Sequence, residues 1–163
     1  MCYWLGNRNV HKNMLEAYQE NPDDEIASLY YHTVSQSDGA DQFQQGQHWV
    51  AIGQSNPKVT TLIKENGSMK FKNLQWGLEW SFTNNKTGKT YQRVLLNSTC
   101  EKVFWQHKDI IYQQRCIIPV DGYYEFYHQK SNNKIPHFLY PLNDRFYFLG
   151  GIKTASPTIT SFP

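Results

Sequence analysis

The chain has 163 residues, a length that fits one domain, and its 16 Lys and Arg against 14 Asp and Glu give a formal charge of +2. That balance excludes a protein that coats nucleic acid by charge alone, although a local basic groove is compatible with it. Aromatic residues make up 15% of the chain, so rings supply much of the core. The composition excludes collagen, coiled coil and full disorder, and no apolar run approaches the roughly 18 residues of a membrane-spanning helix.

The N-terminus lacks the long apolar core of a secretion signal. Cys2, Cys100 and Cys116 are too few and too widely spaced for a disulfide scaffold, and no pair of cysteines has the spacing of zinc ligands. We therefore expect a cytoplasmic protein that holds neither a metal nor a cofactor.

The predicted elements, taken in chain order, are mostly extended. A loose 3.6-residue stripe after Asn9 predicts a short helix that stops at Asn21-Pro22, and 101–114 is the best second helix. Strand-like segments cover 29–34, 49–52, 58–63, 69–78, 115–127, 136–140 and 146–152. Many strands with few helices predict an α+β fold, in which a single domain over 1–163 is built on an antiparallel or mixed, barrel-like sheet. Residues 155–163 show no closing element, so we expect a domain that lacks its C-terminal segment.

Cys2 is the first candidate for chemistry. A cysteine near a chain end is usually incidental, but removal of Met1 would leave Cys2 with an amine and a thiol on adjacent carbons. Reference pKa values are about 7.7–8.0 for the amine and about 8.5 for the thiol, so both are partly deprotonated near neutral pH. The amine can condense with an aldehyde to an imine, and the thiolate can then close a thiazolidine ring. Covalent catalysis of this kind requires the cysteine to be the terminal residue.

Three further residues are singled out, each with a structural alternative. Glu125 lies between Tyr124 and Phe126 in a strand, where a surface acid is the usual explanation, although a carboxyl held among rings suits general acid–base catalysis. Asn97 follows an apolar run and either caps the second helix or serves a ligand at that helix's N-terminus. Trp76 precedes a glycine, and core packing is a simpler explanation for it than stacking on a base.

Five motifs occur in an order that resembles one known family. They are Met1-Cys2, Gln-Trp-Gly-Leu at 75–78, Asn-Ser-Thr-Cys-Glu at 97–101, Arg-Cys-Ile-Ile-Pro-Val-Asp-Gly-Tyr-Tyr-Glu-Phe at 115–126, and Phe-Leu-Gly-Gly-Ile at 148–152. This order resembles the SOS response-associated peptidase (SRAP) family. The resemblance runs from residue 1 to about residue 152 and is most specific in 115–126.

The resemblance implies a β-barrel-like α+β domain with a positively charged groove for single-stranded DNA. It implies that the N-terminal cysteine, exposed by removal of Met1, captures the open-chain aldehyde of an abasic site as a thiazolidine crosslink. By position, Cys2 is then the nucleophile, Asn97 lies beside the sugar, Glu125 is the catalytic carboxyl, and Trp76 lines the DNA path. The candidate phosphate contacts flank these motifs and are Arg93, Lys102 and Arg115. The expected partner is abasic single-stranded DNA, bound by a monomer.

The chain also departs from the family pattern. Tyr3-Trp4 follow Cys2 where the family commonly has Gly-Arg, and Glu79-Trp80 replace Ile-Pro after the Trp-Gly-Leu motif. Ser98-Thr99 replace Ala-Arg, which removes a cation expected to hold phosphate. The family's catalytic histidine lies in a His…Arg-Met-Pro segment, and none of the six histidines here occupies that place. We therefore expect any strand-cleaving lyase activity to be weak while aldehyde capture persists.

Two alternative functions remain open at this stage. One is a non-catalytic relative that binds single strands through aromatic and basic residues. The other is a thiol peptidase that uses Cys2. The state of Met1 bears on both, because a chain that keeps Met1 has no free aminothiol.

Overall fold

The computed structural model describes residues 4–35, 46–128, 133–142, 145–154 and 158–162. The helices are α1 (Val10–Glu20), α2 (Glu25–Val34) and α3 (Cys100–Gln106), with a short 3₁₀ turn at Gly53–Ser55. The strands are β1 (Trp4–Gly6), β2 (Ala51–Ile52), β3 (Lys58–Glu65), β4 (Ser68–Trp76), β5 (Leu78–Thr83), β6 (Thr90–Leu95), β7 (Arg115–Val120), β8 (Gly122–His128), β9 (Lys134–Leu139), β10 (Tyr147–Lys153) and β11 (Thr158–Phe162). Few helices and many strands make the fold α+β, as predicted.

Five strands close into a barrel in the order β10-β11-β4-β3-β7. The turn between β3 and β4 has Asn66 and Gly67 at positive φ, which is the two-residue hairpin turn that an Asn-Gly pair favours. Because side chains alternate along a strand, Ile63 faces the main core whereas its neighbour Leu62 packs against the helices. The barrel is therefore filled on the inside and covered by α1 and α2 on part of the outside.

A second, four-stranded sheet has the order β2-β1-β8-β9, and β5 and β6 form a separate hairpin. The short strand β1 pairs antiparallel with β8, with Trp4 opposite Tyr124 and Gly6 opposite Gly122. Leu5 is fully buried and joins the main core cluster, so β1 is anchored by packing as well as by its ladder. This sheet brings the N-terminal strand beside the Gly-Tyr-Tyr-Glu segment.

Several predicted elements are wrong in type or extent. The strand predicted over 115–127 is two strands, β7 and β8, which belong to different sheets. Residues 29–34 lie in helix α2 rather than in a strand, because the Asp24 carboxylate accepts hydrogen bonds from the backbone N–H groups of Ile26 and Ala27 and caps the helix. Helix α3 ends at Gln106 rather than at residue 114, and turns follow it. Ile111 in these turns packs with Val103 and Ile152, so tertiary contacts hold this segment.

The expectation that no closing element follows Ile152 is also wrong. Residues 158–162 form β11, which pairs antiparallel with β10 and parallel with β4. Ile159 is fully buried in the main core. The sequence around Pro157 does not indicate this strand, because its pairing depends on strands that lie far away along the chain.

Trp76, the last residue of β4, ties the barrel to the segment that follows β6. Its side chain is fully buried, and its indole N–H donates a hydrogen bond to the carbonyl of Leu96 at 2.9 Å. Its backbone N–H donates to Pro57 O at 2.8 Å. The next residue, Gly77, has φ +125, and a Cβ there would collide with the Val94 side chain of β6. Only glycine therefore lets the chain after β4 approach β6 this closely.

We expect Trp76→Ala to lower the free energy of unfolding by about 3–5 kcal/mol, because it empties a core position and removes the indole hydrogen bond. The matched control is Trp105→Ala on helix α3. That side chain is 64% exposed, so its loss should cost no more than about 0.5 kcal/mol. Urea unfolding followed by circular dichroism measures both. Similar losses for the two variants would contradict the role assigned to Trp76.

Candidate functional site

Asn97 lies at a surface pocket of about 260 Å³ that is lined by 94–99 and Lys102. Leu96, Asn97 and Ser98 are each less than 10% exposed, which is unusual for a connecting segment. The indole of Trp76 holds the Leu96 carbonyl, so the position of the neighbouring Asn97 follows from a core contact. Asn97 carries a neutral amide, which can donate to one ligand oxygen and accept from another group.

Asn97 does not cap helix α3. The N-cap residue is Thr99, and α3 begins at Cys100. The cap alternative considered for Asn97 is therefore wrong by two residues. The pKa of the Glu101 carboxyl in the first turn is lowered, chiefly by the hydrogen bond from its own backbone N–H and then by the Thr99 hydroxyl. Glu101 and Thr99 lie at the N-terminus of α3, and Asn97 lies two residues before Thr99 and lines the pocket.

The candidate phosphate contacts fall in different places. Lys102 is exposed and lines the same pocket as Asn97. Arg115 is exposed at the start of β7, opposite Ile152 of β10, and it is not among the residues that line this pocket. The backbone of Arg93 pairs with Trp80 in the β5–β6 hairpin, and its side chain lies outside the described part of the structure. The structure therefore brings Lys102, but not Arg115, to the Asn97 pocket.

Trp76 cannot line a DNA path in this structure, because none of its side chain is accessible. The stacking role expected for it is wrong, and the structural alternative, core packing, holds. The reason is local: Trp76 ends a barrel strand, and alternation along β4 places it on the inner side with Leu74.

Glu125 lies in the middle of β8 and is half-buried. Tyr124 and Phe126, its neighbours along the chain, project to the other face of the sheet. Both of those rings contact Trp4, with centroids 6.0 and 4.9 Å apart. Glu125 instead shares its face with Tyr123 and Tyr127, in keeping with the two-residue period of a strand.

The ladder places His137 of β9 directly opposite Glu125. None of the sequence motifs includes a residue of β9. The predicted strands 115–127 and 136–140 enclose the loop 128–135, whose midpoint would set residue 125 against residue 138 rather than 137. A one-residue slip of this kind moves a side chain to the other face, so the predicted strands do not fix the pairing of Glu125 with His137.

Cys2 lies outside the described residues. Cys116 is buried, and burial raises the pKa of its thiol to about 12. A thiol of this kind is protonated at neutral pH and is shielded from reagents. Cys116 is therefore a poor nucleophile.

Asp121 is a half-buried carboxyl at the corner between β7 and β8. One of its carboxylate oxygens accepts a hydrogen bond from the backbone N–H of Asn9 at 2.7 Å, and burial raises the pKa of this side chain. This contact fixes the start of α1 against β8. In the described ranges, no group of three or more His, Cys, Asp or Glu side chains could hold a metal ion.

Two solved structures share the fold. A protein from Bacteroides thetaiotaomicron aligns with a TM-score of 0.62 at 16% sequence identity, covering 99% of this chain and 66% of its own. A phage-related protein from Bordetella bronchiseptica aligns with a TM-score of 0.63 at 13% identity, covering 99% of this chain and 68% of its own. The chain thus spans about two thirds of the length of each. At these identities the likeness concerns the fold alone.

No curated protein matches the sequence. Among the helices of the described ranges, none has both the length and the apolar character needed to cross a bilayer. The sequence profile of the SOS response associated peptidase (SRAP) family matches residues 4–160, which is nearly the whole chain. The chain therefore belongs to the SRAP family.

Proposed function

We propose that this protein binds single-stranded DNA and captures the aldehyde of an abasic site through the aminothiol of Cys2. Residues 1–163 act as a single domain and a monomer in this proposal. Family membership supports a role in the response to DNA damage. The observation that carries the proposal is the pairing of β1 with β8, because it ties the N-terminal end of the chain to the strand that contains Glu125.

The geometry of the backbone limits where Cys2 can be. Two peptide links separate Cys2 from Trp4, and consecutive Cα atoms are about 3.8 Å apart, so the two Cα atoms lie within about 7.6 Å of each other. Trp4 pairs directly with Tyr124, the neighbour of Glu125. Chain connectivity therefore supports the assignment of Glu125 as the carboxyl that serves Cys2 in this proposal.

The reaction balances without a cofactor. Hydrolysis of the Met1–Cys2 peptide bond releases methionine and frees the α-amine. The amine nitrogen attacks the aldehyde carbon, and the resulting carbinolamine loses water to give an imine. The thiolate then attacks the imine carbon, which forms the carbon–sulfur bond, and the ring nitrogen takes up a proton. The products are a thiazolidine and one water molecule.

The described residues have distinct parts in this scheme. The Glu125 carboxylate accepts the proton of the attacking amine and returns it to the departing hydroxyl, which is general acid–base catalysis. The Asn97 amide, held at the pocket, binds a hydroxyl of the sugar. The Lys102 ammonium at the same pocket offers a charge to a phosphate.

The first test separates Cys2 from the other cysteines. With Met1 removed, the protein should give an adduct with an abasic oligonucleotide that survives denaturation without borohydride. Cys2→Ser should form only a reversible imine, because a hydroxyl does not close a stable ring. The adduct is measured on a denaturing gel and by intact mass. Cys116→Ala, checked for folding, is the control and should crosslink as before; its failure while folded would contradict the aminothiol mechanism.

A second test concerns the pocket lysine. Affinity for single-stranded DNA should fall with salt, with a log–log slope of about −0.7 per phosphate neutralised. Lys102→Gln should make that slope shallower by about 0.7, because it removes one phosphate contact. Lys12→Gln on α1 is the matched control, with a side chain that is 74% exposed. Binding measured by fluorescence anisotropy that did not depend on salt would argue against a DNA-binding groove.

A third test concerns the carboxyl. Glu125→Gln keeps the shape of the side chain and removes the proton acceptor, so crosslinking should slow by about 10²-fold without disappearing. The aminothiol is intrinsically reactive with aldehydes, which explains the residual rate. Glu25→Gln, an exposed acid on α2, is the control for a lost negative charge. A time course of crosslinking gives the rates, and an unchanged rate for Glu125→Gln would remove its assignment.

A further inference from the structure

We propose that His137 exchanges protons between Glu125 and solvent during crosslinking. This inference rests on the proposed function. It assigns a role to a residue of the β9 edge strand that does not occur in any of the motifs discussed above. His137 acts through Glu125 and is therefore a positioning and relay residue rather than a group that touches the reacting atoms.

The register of the β8–β9 hairpin carries the inference. The ladder runs without interruption from Tyr123 opposite Leu139 to His128 opposite Lys134, and Glu125 stands directly opposite His137 in its middle. Directly opposed residues in an antiparallel pair have Cβ atoms about 4.5–5.5 Å apart and project to the same face. Glutamate and histidine side chains at that separation can meet, directly or through one water molecule.

The two residues differ in access to water, as a proton relay requires. Glu125 is half-buried, whereas His137 is exposed on β9, the edge strand of its sheet. The Tyr127 ring lies against the imidazole in an edge contact, with centroids 6.3 Å apart and an interplanar angle of 88°. The imidazole therefore has a ring contact on the same face of the hairpin as Glu125.

Among the paired residues of β8 and β9, the face of the hairpin that carries His137 has no charged side chain other than Glu125. The titratable groups that face it from β8 are Glu125 and Tyr127, and its neighbours on the same face of β9 are Ile135 and Leu139. His128 and Lys134 form the last pair of the ladder and project to the opposite face. Within this hairpin, Glu125 is therefore the acid with which His137 can exchange a proton.

The proton balance of the reaction explains why a relay is useful. Near neutral pH the terminal amine is largely an ammonium ion. Condensation of an ammonium, a thiol and an aldehyde gives a neutral thiazolidine, one water and one proton. This released proton is the one that the ammonium loses before the amine attacks. Glu125 takes it first, and the imidazole then takes it from the carboxyl and releases it to water. Histidine suits this step because it is the side chain that most often transfers protons in general acid–base catalysis.

The experiment compares crosslinking rates of the Met1-free protein with those of His137→Ala from pH 5.5 to 8.5. We expect the His137→Ala rate at pH 7 to be about tenfold lower. This loss is smaller than that for a typical acid–base residue, because water can partly replace the imidazole as proton acceptor. Imidazole added to the buffer should restore the rate, since the position is exposed. His128→Ala, another exposed histidine of the same hairpin, is the matched control and should react as the unmodified protein does.

A double variant shows whether His137 acts through Glu125. In the Glu125→Gln background, His137→Ala should have no further effect, because the residues act in series. An equal effect in both backgrounds, a loss that imidazole does not rescue, or an unchanged rate at every pH would each overturn the inference while leaving the proposed function intact. No adduct from the unmodified protein would overturn the proposed function and this inference with it.

Discussion

Strand β8 is paired on both of its sides, by β1 and by β9, and the candidate site depends on this double pairing. The pairing is tight at its first residue, where Gly122 faces Gly6. A Cβ at Gly122 would collide with the Phe138 ring and the Leu139 carbonyl, so the close approach of β9 requires glycine there. The Asp121 N–H donates to Gly6 O at 2.8 Å and holds the same corner. The register that results places Glu125 opposite His137 and one residue beyond the pairing of β8 with β1.

The Asn97 pocket depends on the barrel. Trp76 lies buried at the end of β4 and donates a hydrogen bond to the Leu96 carbonyl. This contact positions the buried segment from Leu96 to Ser98, which includes Asn97 at the pocket. Asn97 thus owes its position to packing, and Glu125 owes its position to hydrogen-bonded ladders. The two kinds of constraint explain why substitutions that look remote from the chemistry, in the core tryptophan or at the paired glycines, are expected to disturb it.

Local signals in the sequence were sufficient for part of this structure. The Asn66-Gly67 turn, the stripe of α1 and the β-rich run after Arg115 each carry their information within a few residues, and the structure confirms them. The resemblance that was read from the motifs is confirmed by the family match. These features depend on turn chemistry, periodicity and short motifs, which a single sequence displays.

Features that depend on distant partners could not be predicted in this way. Residues 29–34 are as apolar as a strand, and the features that favour the helix include the Asp24 cap and the contact of Tyr30 with Phe71. In the sequence alone, Trp76 is compatible with stacking on a base and with core packing, and only its burial in the structure decides between them. β11 has no signal of its own, because its partners β4 and β10 supply the reason for it to form. The pairing of Glu125 with His137 required the register of a hairpin, which depends on packing as well as on the turn.

The pairing of β1 with β8 determines how late in synthesis and folding the candidate site is assembled. Trp4 and Tyr124 are 120 residues apart along the chain, and β4 pairs with β11 over a separation of 83 residues from Gln75 to Thr158. Contacts of such high sequence separation form slowly, because loop closure must precede them. In a nascent chain, β1 leaves the ribosome long before β8 has been synthesised. Under the proposed function, an unassembled chain would carry the aminothiol without the carboxyl that assists it, so aldehyde capture would remain slow until the last ladders had closed.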